Sequence, residues 1–346
     1  MTRIFRNADA TLEPLVGKTI AVIGYGNQGR AQALNLRDSG QRVIVGNAAD
    51  AYAAQAREDG FECLSIADAA ARADVVMCLI PDELTPAIYE SSIRPGLRAG
   101  NTLCFASGYC VAFKEVEFPT DVDVVMVAPR TMGDLVRATY LSGRGFLSFI
   151  DAHQDATGGA WPIVLALAKG IGTLKFYAIQ ASFKDEAQSD LFTEQTLVPA
   201  IVAAVATAVE VLVEAGYPKV EALLELYLSG EMGDIMHEAA RLGLVGQTAL
   251  HSPTSRFGTL ARLDQFKTPE LKALMERQLA NIRAGNFARE WAADQAAGYP
   301  TFNVVKEGFE KSQFGRFERE VMGELGLVGE RDAAMYREAK EGVSRE

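Results

Sequence analysis

Histidine, cysteine and tryptophan are scarce in this chain, with three, four and two residues among 346. The four cysteines, Cys63, Cys78, Cys104 and Cys110, form no CxxC pair, which excludes the usual zinc and dithiol spacings. Three of them sit in apolar runs and read as reduced core thiols. Positive charge is also in deficit. Thirty-four Lys and Arg against 45 Asp and Glu leave a formal net charge of -11, a field that repels both phosphate backbones and anionic membranes. The expected partner is therefore a small molecule, with no nucleic acid and no membrane. The leading segment MTRIFRNADATLEP contains no apolar signal region, and no stretch reaches about 18 uninterrupted apolar residues. The longest such run, 197–213, is interrupted by Pro199 and reads as a buried helix. A cytoplasmic location is expected.

What is present is a long alternation of short β-branched runs with helical stretches. Strands are expected at 18–24, 42–46, 74–80, 101–105 and 123–128, with 145–150 and 174–179 as possible extensions of the sheet. Strands spaced by helices imply a doubly wound parallel sheet. After about residue 183 the strand signals stop and only helical patterns follow, which marks a domain boundary. The expected fold class is α/β, a Rossmann-type domain over 1–182 followed by an all-α domain over 183–330 and a charged tail over 331–346.

The strand at 19–23 runs directly into GxGxxG at Gly24, Gly26 and Gly29, and a helical pattern begins at once. In that context the motif has a physical meaning. The first glycine permits the tight turn, the second lets backbone approach a pyrophosphate, the third lets helix pack on strand, and the helix N-terminus offers positive potential. The next strand ends at 45–46, and Asn47-Ala-Ala-Asp50 follows. A carboxylate there accepts from ribose hydroxyls and repels a 2′-phosphate, so Asp50 favours NADH over NADPH; its other reading is the N-cap of the next helix. Pro81 and Asp82 close another strand at its carboxyl end and either border the cofactor or form a plain turn. Candidate cofactor-binding residues are Gly24, Tyr25, Gly26, Asn27, Gln28, Gly29, Asn47, Asp50, Pro81, Asp82 and Gly133.

Asp190 and Glu194 stand four apart at the start of a helical run, hence one turn apart on one face. Such a pair can hold a hard divalent cation, with Glu225 able to join it. It can equally be a pair of acids placed favourably toward a helix dipole.

Several words taken together carry more: GYGNQGRAQALNLRDSG at 24–40, LIPDE at 79–83, APR and VR within 128–137, HQDATGGA at 153–160, SFKDEAQSDLFTEQ at 182–195, EAGY at 214–217 and AGNFAREW at 284–291. Over roughly residues 10–325 the chain resembles the short, bacterial-type ketol-acid reductoisomerases. The resemblance implies a knotted helical domain that forms a homodimer. It also implies an alkyl migration driven by two Mg2+ ions, followed by hydride delivery from NADPH. Residue by residue, Asp190 and Glu194 match the family's first two metal carboxylates, Glu225 one contributed by the partner subunit, and Ser252 a serine against the substrate carboxylate.

Departures from the pattern are as informative. Ser107 stands where the family has a histidine, Arg130 where it has a lysine, and Ser229 where a fourth metal carboxylate belongs. A guanidinium does not substitute freely for an ammonium, and migration depends on a full set of carboxylates, whereas hydride transfer needs less. The expectation is an NADH-dependent reductase of a 2-keto acid, imine or related small molecule, with migration weakened or lost. Asp190, Glu194, Arg130 and Ser107 are the catalytic candidates, Asp190, Glu194 and Glu225 the ligands of one possible Mg2+, and Arg130 and Ser252 the substrate contacts. Two alternatives stay open: an authentic reductoisomerase acting on 2-acetolactate, and a noncatalytic NAD-binding regulator.

Overall fold

The computed structural model describes residues 2–327; the expected charged tail lies outside them. By its contacts the chain divides into two compact units, Met1–Asp190 and the residues from Leu191 onward.

The first unit is a nine-stranded sheet of β1 (Ile4–Phe5), β2 (Thr19–Ile23), β3 (Arg42–Gly46), β4 (Cys63–Leu64), β5 (Val75–Cys78), β6 (Thr102–Phe105), β7 (Asp123–Pro129), β8 (Leu147–Gln154) and β9 (Tyr177–Gln180). Their spatial order is β1-β9-β8-β7-β6-β5-β2-β3-β4. Pairing is parallel from β7 through to β4, but β8 runs antiparallel to β7 and β1 antiparallel to β9. The expected doubly wound parallel sheet is present, with antiparallel pairings added only at that edge. Hydrophobic runs announce strands without encoding direction, and β1 and β4 are too short to carry a periodic signal.

The helices of this unit are α1 (Asn27–Asp38), α2 (Ala51–Glu58), α3 (Ile66–Arg72), α4 (Thr85–Ile88), α5 (Tyr109–Ala112), α6 (Gly133–Leu141) and α7 (Ala160–Ile171), and α8 (Phe183–Phe192) begins in it and runs past Asp190. The interior strands are buried along their whole length, as in Thr19–Ile23 and Asp123–Pro129, which is what a sheet covered on both faces requires. From β2 the order proceeds to β3 on one side and β5 on the other. Their carboxyl ends therefore flank the crevice where ligands bind in such sheets.

In the second unit, α8 continues without a break through a π-helical turn, Thr193–Leu197, into α9 (Val198–Glu214). Pro199 does not interrupt it. The Val198 N–H reaches back five residues to Thr193 O, and a proline seated just after this widened turn lacks only an N–H that the register shift had already displaced. The expectation of a buried helix is also corrected: α9 buries only Val209 within this chain. The helix Phe183–Glu214 is long and apolar enough to cross a membrane by length and composition, yet only 11% of its most apolar stretch is covered. The small core of this unit joins Val209 to Leu223, Phe314 and Val321.

Candidate active site

The glycine loop is built as its spacing requires. Gly24, which follows β2, has φ +89°, and a Cβ there would lie 2.7 Å from Leu79 O and 2.8 Å from Ile80 Cγ2 in the loop after β5. The turn thus packs tightly at the switch point. A Cβ on Gly29 would land on the Gly24 carbonyl oxygen, whereas one on Gly26 would meet nothing within 4 Å. Gly26 N-caps α1 with no side-chain hydrogen bond, so the first N–H groups of α1 remain available to an anion. An open second glycine beneath uncapped donors fits a pyrophosphate. Gly133 begins α6, and a Cβ on it would collide with the Asn27 carbonyl; α6 is held against this loop, aided by Gln28 Nε2 donating to Thr131 O at 2.9 Å.

Not every residue of the motif faces that space. Tyr25 is 1% exposed, packs edge-on against Phe61 and donates its hydroxyl to Asp59 at 2.9 Å. Asn47 accepts the Tyr25 N–H at 2.9 Å and donates to Asp50 Oδ1 at 2.8 Å. Asp50 also N-caps α2, accepting the Ala53 N–H at 3.0 Å. Its capping role and its place after β3 therefore coexist.

Ser107 follows the end of β6, and its hydroxyl donates to Asp82 Oδ2 at 3.3 Å and accepts the Tyr109 N–H at 3.2 Å. Burial pushes the Asp82 carboxyl up to about 7, opposed by the Ser107 hydrogen bond and reinforced by the charges of Glu186, Glu83 and Glu115. A carboxyl raised in the folded state stabilises the fold below its ordinary range and loses that contribution as pH rises through about 7. Asp82→Asn is accordingly expected to remove a loss of stability on the order of 2–4 kcal/mol between pH 4.5 and 8. Urea melts at the two pH values test this, and equal slopes for both proteins would refute it.

The centre of the site is an ion-pair triad. Arg130, leaving β7, directs Nη1 to Glu186 Oε1 and Nη2 to Asp190 Oδ1. Glu186 is 1% exposed, and its second oxygen accepts the Gly108 N–H at 2.7 Å. Gly108 is obligatory: a Cβ would strike the Phe183 carbonyl and come within 2.9 Å of Glu186 Oε2. Burial raises the Glu186 carboxyl, and the Gly108 amide and Arg130 draw it back. Glu186 was absent from the candidates read in the sequence. Its signal was the stripe Glu186, Asp190, Glu194, acids at every fourth residue of one helix.

The remaining candidates lie in the helical unit. Glu194 stands in the π-helical turn, Glu225 in a second one, Leu224–Leu228. Ser252 N-caps Pro253–Leu260 through the Ser255 N–H at 3.2 Å, and the Ser229 hydroxyl accepts from Glu231 N–H at 3.4 Å. Among the described residues no group of three or more His, Cys, Asp or Glu side chains is arranged to hold a metal ion. Asp190 already carries the Arg130 guanidinium, so its carboxylate as arranged is not a free ligand for a divalent cation.

Residues 14–176 match the family domain described as "Acetohydroxy acid isomeroreductase, NADPH-binding domain", and residues 183–325 match "Ketol-acid reductoisomerase, C-terminal domain". The chain belongs to the ketol-acid reductoisomerase family. It is 41% identical over 310 residues to the ketol-acid reductoisomerase (NADP(+)) of Pyrobaculum neutrophilum, covering 89% of this chain and 94% of that protein. It is also 41% identical over 315 residues to that of Pyrobaculum arsenaticum, covering 90% and 95%. The solved structure of an NADH-preferring ketol-acid reductoisomerase from an uncultured archean superposes with a TM-score of 0.88 at 37% identity, covering 93% of this chain and 98% of that one. The chain is thus an NAD(P)H-dependent oxidoreductase of the ketol-acid reductoisomerase family, a Rossmann-like domain followed by a helical one.

Proposed function

We propose that this member of the family is an NADH-dependent reductase of a 2-keto acid, imine or related small molecule, in which alkyl migration is weakened or lost. The observation that carries this reading is the triad itself. Arg130 neutralises Asp190, the carboxylate aligned with the family's first metal ligand, while Ser107 and Ser229 stand where a histidine and a further carboxylate are expected.

Bound reduced nicotinamide supplies the hydride. The chain's own groups do the rest. The loop 24–29 binds the pyrophosphate, and Asp50 after β3 accepts from the adenosine ribose and disfavours a 2′-phosphate. Arg130, a quarter exposed at its side chain, offers a fixed charge to a substrate carboxylate or to the oxygen on which negative charge develops. Ser252 holds the carboxylate end, and Glu194 or a water supplies the proton. A homodimer belongs to the same reading. Leu197, Val198, Ile201, Val202 and Val211 are exposed on the long helix within one chain, a surface whose burial a second copy provides.

Assays with 2-acetolactate and Mg2+, and with a panel of 2-keto acids and cyclic imines, each with NADH and NADPH, test the reading. Reduction of at least one panel member with NADH is expected to exceed acetolactate conversion in kcat/KM by about tenfold or more, a ~1.4 kcal/mol difference in barrier. Efficient formation of the dihydroxy acid would overturn it in favour of an authentic reductoisomerase, the reading that the relatives' names support. Nucleotide binding without reduction of any substrate would point to a regulator.

A further inference from the structure

We infer that Arg130 is a resident cation of this site, standing in the place of a divalent ion at Asp190, so that the chain takes up Mg2+ weakly unless Arg130 is changed. The inference deepens the proposed function and rests on it. Glu186 and Asp190 are separated by one helical turn on α8, and the planar fork of a guanidinium spans both at once. A lysine ammonium is a single point on a flexible stem and lacks that fixed fork.

The surroundings keep the fork in place. Its carbon lies 5.4 Å from the centre of the Phe149 ring on β8, a cation–π distance. Glu186 is anchored from behind by the Gly108 N–H, so it cannot swing away to release Arg130. The three charges sum to one negative, against two for the carboxylates alone. A divalent ion approaching Asp190 meets a positive group already in contact with the same carboxylate, and must displace it and leave Glu186, 1% exposed, with less compensation.

The probe is Mn2+, counted by the electron paramagnetic resonance signal of the free aqua ion, on full-length protein with NADH present. Three proteins are compared: the natural chain, Arg130→Lys, which keeps the charge but loses the fork, and Arg130→Gln, which loses the charge. Mn2+ affinity is expected to rise roughly 10- to 100-fold in the variants, more for Arg130→Gln than for Arg130→Lys. NADH affinity, read by fluorescence on the same samples, is expected to stay at the natural value and certifies that each variant is folded. If neither variant folds, the natural chain decides alone, because uptake of two Mn2+ per chain at micromolar concentration overturns the inference. Unchanged Mn2+ affinity in a folded variant overturns it as well. Metal counting is separate from the keto-acid assays: a failed count with successful NADH-dependent reduction defeats only the resident cation, whereas the reverse defeats only the reductase.

Discussion

Gly29→Ala is expected to raise the Kd for NADH at least 100-fold, a loss of about 2.7 kcal/mol or more, as read by titration calorimetry. The added methyl would occupy the position of the Gly24 carbonyl oxygen. Both partners are backbone, so no side-chain rotation relieves the collision. The start of α1 has to move away from β2, carrying with it the N–H groups that face the pyrophosphate. Gly26→Ala is the informative contrast. Its φ of -71° suits any residue and its Cβ meets nothing within 4 Å, so the variant should melt like the natural chain. Its affinity should nevertheless fall by about tenfold, because the methyl intrudes only on the ligand. A Kd for Gly29→Ala within threefold of the natural value would remove the glycine loop from the binding site.

Arg130→Ala is the second large effect, and it reaches stability as well as turnover. Removing one partner of a buried ion pair costs about 3–5 kcal/mol, because the other charge is left unpaired. Here that charge belongs to Glu186, whose side chain is 2% exposed. A unit of this size loses about 2–4 °C in Tm per kcal/mol, so calorimetry should show a fall on the order of 10 °C. The pH dependence has a definite sign. Burial already holds the Glu186 carboxyl above its usual range, and without Arg130 it rises further. A carboxyl raised by folding contributes stability at low pH that disappears as pH rises through its folded value, so the variant should be closest to the natural chain in acid and furthest from it at neutral pH. Adding Glu186→Gln should recover much of the loss by removing the stranded charge. A single variant as stable as the natural chain at pH 7 would show that the pair is not structural.

Most of the α/β architecture was legible because a strand covered on both faces must be apolar along its length. Four of the nine strands, β2, β3, β5 and β6, lie within the runs expected, and β7 exceeds its run only by Pro129. The glycine loop was legible for a related reason: a backbone path with φ +89° at Gly24 and no room at Gly29 leaves few other residue types. The antiparallel edge was not, since a run of Ser148, Phe149 and Ile150 reads the same in either direction. Within the motif itself, nothing in the spelling GYGNQG tells that Tyr25 turns into the core toward Phe61 and Asp59 while Gly26 stays open.

The site divides in the same way. Spacing alone showed that Asp190 and Glu194 share a helical face, because four residues are about one turn of a helix, and left their role open. Glu186 belongs to the same stripe, but its importance lies in being buried under Gly108 and gripped by Arg130, a residue 56 positions earlier in the chain. The long helix at 198–214 shows the opposite error: apolar composition measures a preference for burial, and whether one chain satisfies it depends on what packs there.

By itself, then, the order of residues determined the local geometry: which segments are strands, where the tight turn falls, and which acids share a helical face. Tertiary structure alone decided which charges meet. Contact between Arg130 and two carboxylates on α8 depends on how β7 and α8 lie against each other in space, and no short-range pattern along the chain records that distance.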